Sequence, residues 1–262
     1  MSVNMHKRKV LGLALSSGGV LGYAHIGVLR ALEELGVHVD LLSGASMGAI
    51  VAVFNAAGFD STALEALGAR FGSQVATLLE PTIPLGRPTT PWRLRAALRA
   101  QLPVTMFEAL QKPVCIAATD VQTGEAVIYD KGEIWGPLSG SFCIPGVFSV
   151  ARAGERYLID GGMSLPVPVT ELRKRGAGHV IAVSLYDPLQ DDEYRPSLNV
   201  AKLLGRAVNL MLNNIAQVEL ATADLVIRPD LRGCKASDVH EYIVRGYDAT
   251  MKRRAEIEAL VA

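Results

Sequence analysis

From Val10 to Leu15 the chain is apolar without interruption and then stops at Ser16-Ser17-Gly18-Gly19, the pattern of a buried strand entering a turn. Beyond it Val20, Tyr23, Ala24, Val28, Leu32 and Leu35 recur at helical spacing until Gly36, which predicts a helix. "VDLLSG" reads as a second strand, and "MGAIVAVFNAAG" as a helix apolar nearly all round and therefore buried. Strand, glycine-rich turn, helix, strand, turn, helix is the rhythm of an α/β protein with a parallel sheet. After Gly58 the pattern weakens. Residues 60–71 read as a helix, residues 77–90 contain Pro81, Pro84 and Pro88 and read as an irregular loop, and "PWRLRAALRAQL" begins a further helix. Strands return at "PVCIAATD", "EAVIYD", "RYLIDGG", "HVIAVSL" and "DLVIRP", with helices expected over 197–221 and 236–260. No repeat or linker divides the 262 residues, so a single domain spanning 1–262 is expected.

Composition narrows the classes. With 50% hydrophobic and 20% charged residues a sizeable core is available, and global disorder is excluded. Basic and acidic residues balance at 26 each, so bulk electrostatics gives no case for a nucleic-acid partner. Cys115, Cys143 and Cys234 lie far apart, without the spacing of a zinc site or a disulfide framework, and read as packed thiols in a reducing compartment. No apolar run reaches the ~20 residues needed to span a bilayer. The basic-then-apolar N-terminus stops short of the about 7–15 apolar residues of a signal peptide, so Val10 to Leu15 reads as a first strand and the location as cytoplasmic.

Residues 44–48, "GASMG", match G-x-S-x-G. That pentapeptide has chemical meaning when it joins a strand to a helix, because small neighbours permit strained backbone angles and thrust the serine up at a helix N-terminus. Leu41 and Leu42 end a predicted strand and Ala49 to Ala57 continue as a buried helix, which makes Ser46 a candidate nucleophile. Acyl transfer also needs donors for a developing oxyanion. The bare N–H groups of Gly18, Gly19 and Val20, where the first strand turns into the first helix, are suited to it. The same loop competes as a dinucleotide fingerprint, with Asp40 near the expected acidic position. Yet Asp40 precedes the apolar "LLSG" run and Ser17 replaces the first glycine. For a base, Asp160 or Asp224 with His240 would meet a Ser–Asp–His order, and His25 lies close to the glycine loop. Asp160 in "LIDGG" can also act alone if burial raises its pKa and Gly161 and Gly162 allow close approach.

Together these residues resemble the patatin-like phospholipase family, in particular its compact bacterial members. The likeness runs in order through residues 10–185: the loop Ser17 to Gly22, "AHIGVLRALEE", "GASMGA", "IPGVF", "DGGMSLPVPV" and "VIAVSL". It implies a three-layer α/β/α fold with a mostly parallel central sheet. It implies a Ser–Asp dyad of Ser46 (nucleophile) and Asp160 (proton acceptor), and an oxyanion hole at Gly18, Gly19 and Val20. Gly22, Gly44, Gly48, Gly161 and Gly162 would be the motif glycines. No metal or organic cofactor is implied, and the substrate would be a lipid or other fatty acyl ester. The helical part over 197–260 brings no chemistry of its own. Two positions depart from the family pattern: Ser17 stands where the loop usually has Gly, and Leu21 where it usually has Arg or Lys. These departures leave a competing expectation, a lipid- or acyl-binding regulatory protein with little turnover. Residues 77–102 have two readings, a lid or transient membrane-surface contact built on Trp92 and its arginines, or an ordinary amphipathic helix covering the site.

Overall fold

The computed structural model describes residues 9–72, 92–186, 200–235 and 237–262. In chain order the elements are β1 (Leu11–Leu15), α1 (Ala24–Glu34), β2 (Leu41–Ala45), α2 (Met47–Ala56), α3 (Ser61–Gly72), α4 (Trp92–Arg99), β3 (Val114–Asp120) and β4 (Ala126–Tyr129). They continue with α5 (Trp135–Ser141), β5 (Ala151–Ala153), β6 (Arg156–Asp160), α6 (Val169–Lys174), β7 (His179–Val183), α7 (Val200–Leu220), β8 (Leu225–Ile227), α8 (Val239–Met251) and α9 (Arg254–Val261).

β1 and β2 are buried at every position because helices cover both faces of the sheet. Successive side chains alternate between faces. Leu11, Leu13 and Leu15 enter an apolar cluster shared with α1, α2 and α8, while Ala14 enters a second cluster shared with α6 and α7. Gly12 lies on the second face, where an added Cβ would come within 3.0 Å of Leu172, so the small residues of β1 set how closely α6 packs. The result is a three-layer α/β/α arrangement, as the resemblance implied. The eight-stranded sheet is hydrogen-bonded in the sequence β5-β6-β3-β2-β1-β7-β8, with β4 also on β3. The pairs β1–β2, β2–β3, β1–β7 and β7–β8 are parallel, and those of β4, β5 and β6 antiparallel.

One register carries the functional geometry. Ala117 of β3 pairs with both Ala45 and Ile128, and Thr119 pairs with both Ala126 and Ile159. A strand has two edges, so β4 occupies one edge of β3 while β2 and β6 divide the other. β2 stops opposite Ala117 and β6, running the opposite way, stops opposite Ala118. Their C-terminal ends meet head to head, and these are the ends that carry Ser46 and Asp160.

Several elements differ from the reading of the sequence, which contained neither the strand β5 nor the helix α6. The first helix opens with a 3-10 turn over Gly19–Tyr23, and α1 proper begins at Ala24. The C-terminal helical stretch divides into α8 and α9 around Lys252 and Arg253. The sequence also gave no sign of α5, whose "WGPLSGS" is poor in helix formers but buried at all seven positions, so tertiary packing overrides propensity there. The proline-containing loop over 77–90 lies outside the described residues.

Candidate active site

β2 delivers Ser46 to the start of α2 at φ 54 and ψ −123, and among the described residues it is the one non-glycine with positive φ. That conformation is costly for a side chain other than glycine and persists only where its surroundings impose it. Gly44 and Gly48 impose it from both sides. A Cβ on Gly44 would sit 2.4 Å from the Gly48 carbonyl oxygen, and one on Gly48 would sit 2.3 Å from that of Leu15. From α5 the Ser141 hydroxyl accepts the Ser46 N–H at 3.0 Å. Ser141 is fully buried, and nothing in the sequence singled it out.

The Ser46 hydroxyl donates to Asp160 Oδ2 at 2.6 Å, and the Gly162 N–H donates to Oδ1 at 2.7 Å. The chain at Asp160 is tied down on both sides: its N–H donates to the Cys143 carbonyl, and its own carbonyl accepts the Thr119 hydroxyl. Gly161 must be glycine, since a Cβ there would lie 2.0 Å from the Ala117 carbonyl oxygen. Burial pushes the Asp160 carboxyl up to about 6, against the opposing pull of the Ser46 and Gly162 hydrogen bonds.

The glycine loop passes beside this pair. Its 3-10 turn starts at Gly19, which leaves the N–H groups of Gly18, Gly19 and Val20 without an intrahelical acceptor. Gly22 nests on α2, where a Cβ would come within 2.6 Å of Met47 Cβ. His25 braces the loop: its Nε2 lies 2.8 Å from the Ser16 carbonyl, which can only accept. Burial drives this imidazole down to about 4, so the ring is neutral with its proton on Nε2. Ser17, the first departure from the family pattern, hydrogen-bonds the Tyr186 hydroxyl beyond β7, so its extra oxygen is absorbed by a partner. Leu21, the second, is half-buried against the edge of the core.

The competing residues lie elsewhere. Asp40 is at the start of β2, its carboxylate accepting the Leu11 N–H at 2.8 Å, and so sits at the opposite end of β1 from the glycine loop. No ribose could bridge that distance, and the dinucleotide reading falls. His240 is exposed and faces Glu65 at 3.5 Å, while Asp224 is paired with Arg173. No Ser–Asp–His triad forms from them. Among the described residues no cluster of His, Cys, Asp and Glu is arranged to hold a metal ion.

Ser46 and Gly19 stand between two cavities. One, of about 200 Å³, is walled by apolar side chains including Met47, Phe54, Leu64, Phe71, Leu98 and Phe148. The other, of about 370 Å³, lies between the glycine loop and α7 and is the more polar of the two, with Asp160, Tyr186, Arg206, Asn209 and Asn213 set among apolar Leu21, Ile144, Met163 and Leu185. Leu94 and Leu98 of α4 wall the apolar cavity, and Trp92 stays 60% exposed with the Arg93 guanidinium over its ring.

The chain is similar to known proteins in sequence and in fold. An uncharacterized NTE family protein of Mycobacterium tuberculosis (strain ATCC 25618 / H37Rv) is 34% identical over 175 residues, covering 67% of this chain and 49% of that protein. The lysophospholipase NTE1 of Saccharomyces cerevisiae (strain ATCC 204508 / S288c) is 27% identical over 197 residues, 73% of this chain but 12% of its own. The chain thus spans about half the length of the mycobacterial relative. In fold it is similar to VipD from Legionella pneumophila, with a TM-score of 0.53 at 17% identity over 95% of this chain and 67% of that one. It is likewise similar to human GIVD cytosolic phospholipase A2, with a TM-score of 0.53 at 10% identity over 96% of this chain and 62% of that one. Residues 13–173, more than half of the sequence, match the patatin-like phospholipase profile, and the chain belongs to that family.

Proposed function

We propose that this protein is a serine acyl-ester hydrolase of lipids, of the phospholipase A or lysophospholipase type, working through Ser46 and Asp160. The observation that carries the reading is the 2.6 Å hydrogen bond from the Ser46 hydroxyl, held at a strained elbow, to a buried carboxylate. Ser46 Oγ attacks the ester carbonyl carbon as its proton passes to Asp160 Oδ2. A free aspartate is a weak base, with a pKa of ~3.9, and the rise to about 6 makes Asp160 a better acceptor. The N–H groups of Gly18, Gly19 and Val20 receive the oxyanion. Collapse of the tetrahedral species breaks the ester C–O bond, and Asp160 returns the proton to the departing alkoxide. Water then attacks the acyl-serine by the same route, which frees the fatty acid and restores Ser46. The apolar cavity takes the acyl chain and the polar cavity the remainder of the substrate.

Labelling with a fluorophosphonate probe and turnover of p-nitrophenyl esters and lysophospholipids test this. Wild type should label and turn over, while Ser46→Ala should keep its melting temperature and lose several powers of ten in kcat/KM. A wild-type protein that binds lipid but neither labels nor hydrolyses would favour the alternative, a lipid-binding regulatory protein.

A further inference from the structure

Ser141 and Cys143 stand two residues apart at the end of the short helix α5, and each holds one member of the Ser46–Asp160 pair. The Ser141 hydroxyl accepts the Ser46 N–H at 3.0 Å, and the Cys143 carbonyl accepts the Asp160 N–H at 2.9 Å. With the 2.6 Å bond from the Ser46 hydroxyl to Asp160, these contacts close a ring. The α5 side of the ring is firmly seated. The Phe142 and Cys143 N–H groups donate back to the Leu138 and Gly140 carbonyls, and the buried Phe142 meets Phe148 edge to face. Gly140 lets this helix end reach β6, since a Cβ there would come within 2.6 Å of Leu158 Cβ. Ser141 and Cys143 are fully buried, so solvent does not compete for either contact.

We propose that Ser141 is the positioning residue of this pair: through the Ser46 amide it sets the direction of the Ser46 hydroxyl against a carboxylate that the same helix end holds in place. The proposal rests on the reading of Ser46 as nucleophile and Asp160 as base. Gly44 and Gly48 make room for the strained turn, but room alone does not hold φ at 54. That angle turns the side chain about the N–Cα bond, and the Ser141 contact fixes the N–H from which the turn is measured. Without Ser141 Oγ the buried Ser46 N–H has lost its acceptor, and the peptide turns to find another. Ser139 supplies the control. It is buried on the same helix, and its hydroxyl donates within α5 to the Trp135 carbonyl.

Kinetics on a p-nitrophenyl ester, with melting temperatures, compare Ser141→Ala, Ser141→Cys and Ser139→Ala in the full chain. Ser141→Ala should lower kcat about tenfold to a hundredfold with KM within about twofold, because a misdirected hydroxyl slows the chemistry and leaves both cavities intact. Ser141→Cys keeps a weak sulfur acceptor in nearly the same volume and should fall between Ser141→Ala and wild type. Ser139→Ala should keep its kcat even where it melts as low as Ser141→Ala. Carboxyl 13C NMR reads the pair without turnover. The Ser46 hydrogen bond pulls the Asp160 pKa down against burial, so Ser141→Ala should titrate Asp160 above the wild-type value of about 6, and Ser139→Ala should not. Cys143 and Tyr186, which feel the Asp160 charge, are pushed up to about 12 by burial and stay neutral across this range. A wild type without turnover would sink the hydrolase reading alone, and the Asp160 titration would then decide on Ser141. Wild-type kcat in either Ser141 variant, an Asp160 titration unmoved in Ser141→Ala, or an equal loss of kcat in Ser139→Ala overturns the proposal.

Discussion

Asp160 is the residue where burial, chemistry and stability meet. Its pKa rises from 3.8 to about 6 because the carboxylate is desolvated. In the proposed role of base it must be ionised, so kcat/KM should fall about tenfold per unit below pH ~6 and level off above it. The same shift has a stability consequence of opposite sense. A carboxyl with a raised folded pKa favours the fold fully below its unfolded value, and that contribution is lost as pH rises through about 6. Two units correspond to about 3 kcal/mol, so Asp160→Asn should inactivate the enzyme yet melt higher than wild type at about pH 8, the gap closing by about pH 4. Asparagine can still accept the Gly162 N–H and donate to Ser46, and equal melting at both pH values would refute the buried-charge account. Ser46 was legible as a candidate from its G-x-S-x-G setting between a strand and a helix, while Asp160 was singled out from Asp224 and His240 by the family resemblance. Their supports were not. Ser141 and Tyr186 lie 95 and 169 residues from the atoms they hold, in segments without local motif, and only the folded chain brings them there.

Among the elements, the sheet and its main helices followed from apolar patterning, since buried parallel strands such as "LGLAL" and "HVIAV" tolerate little else. The meeting of β2 with β6 did not follow. Which edge of β3 each strand takes is a property of pairing, and no periodicity encodes it. The packing of α8 on α1 is another long-range fact, and it depends on two glycines. A Cβ on Gly27 would lie 1.8 Å from the Ile243 carbonyl oxygen, and one on Gly246 2.0 Å from that of Ala24. Gly27→Ala must force the helices apart and should cost about 1–3 kcal/mol or more, read as a lowered denaturation midpoint. Gly205 of α7 is the contrast, because nothing lies within 4 Å of its would-be Cβ. Gly205→Ala should instead stabilise by about 0.5–1 kcal/mol through helix propensity. Similar losses in both variants would show that the close backbone approach at Gly27 is not what sets the two positions apart.

At the scale of the molecule, two cavities of different character open on one hydroxyl. α1, α2, α3, α4 and the segment after α5 (Phe142, Ile144 and Phe148) enclose the apolar one, and α7 with the glycine loop encloses the more polar one. This division makes acyl length a measurable property of the fold. Each methylene that enters an apolar cavity contributes about 0.8 kcal/mol, a factor of about four in kcat/KM where the binding is realised in the transition state. Over a series of p-nitrophenyl esters the rate constant should climb by about that factor per methylene and level off once the cavity of about 200 Å³ is full. Leu67 lines this cavity from α3 and is only partly buried, so a larger side chain there can fill space without rebuilding the core. Leu67→Trp should bring the plateau to shorter chains, leave short esters near their wild-type kcat/KM and depress the long ones. A length series that is flat in the wild type, or unmoved by Leu67→Trp, would place the acyl chain outside this cavity.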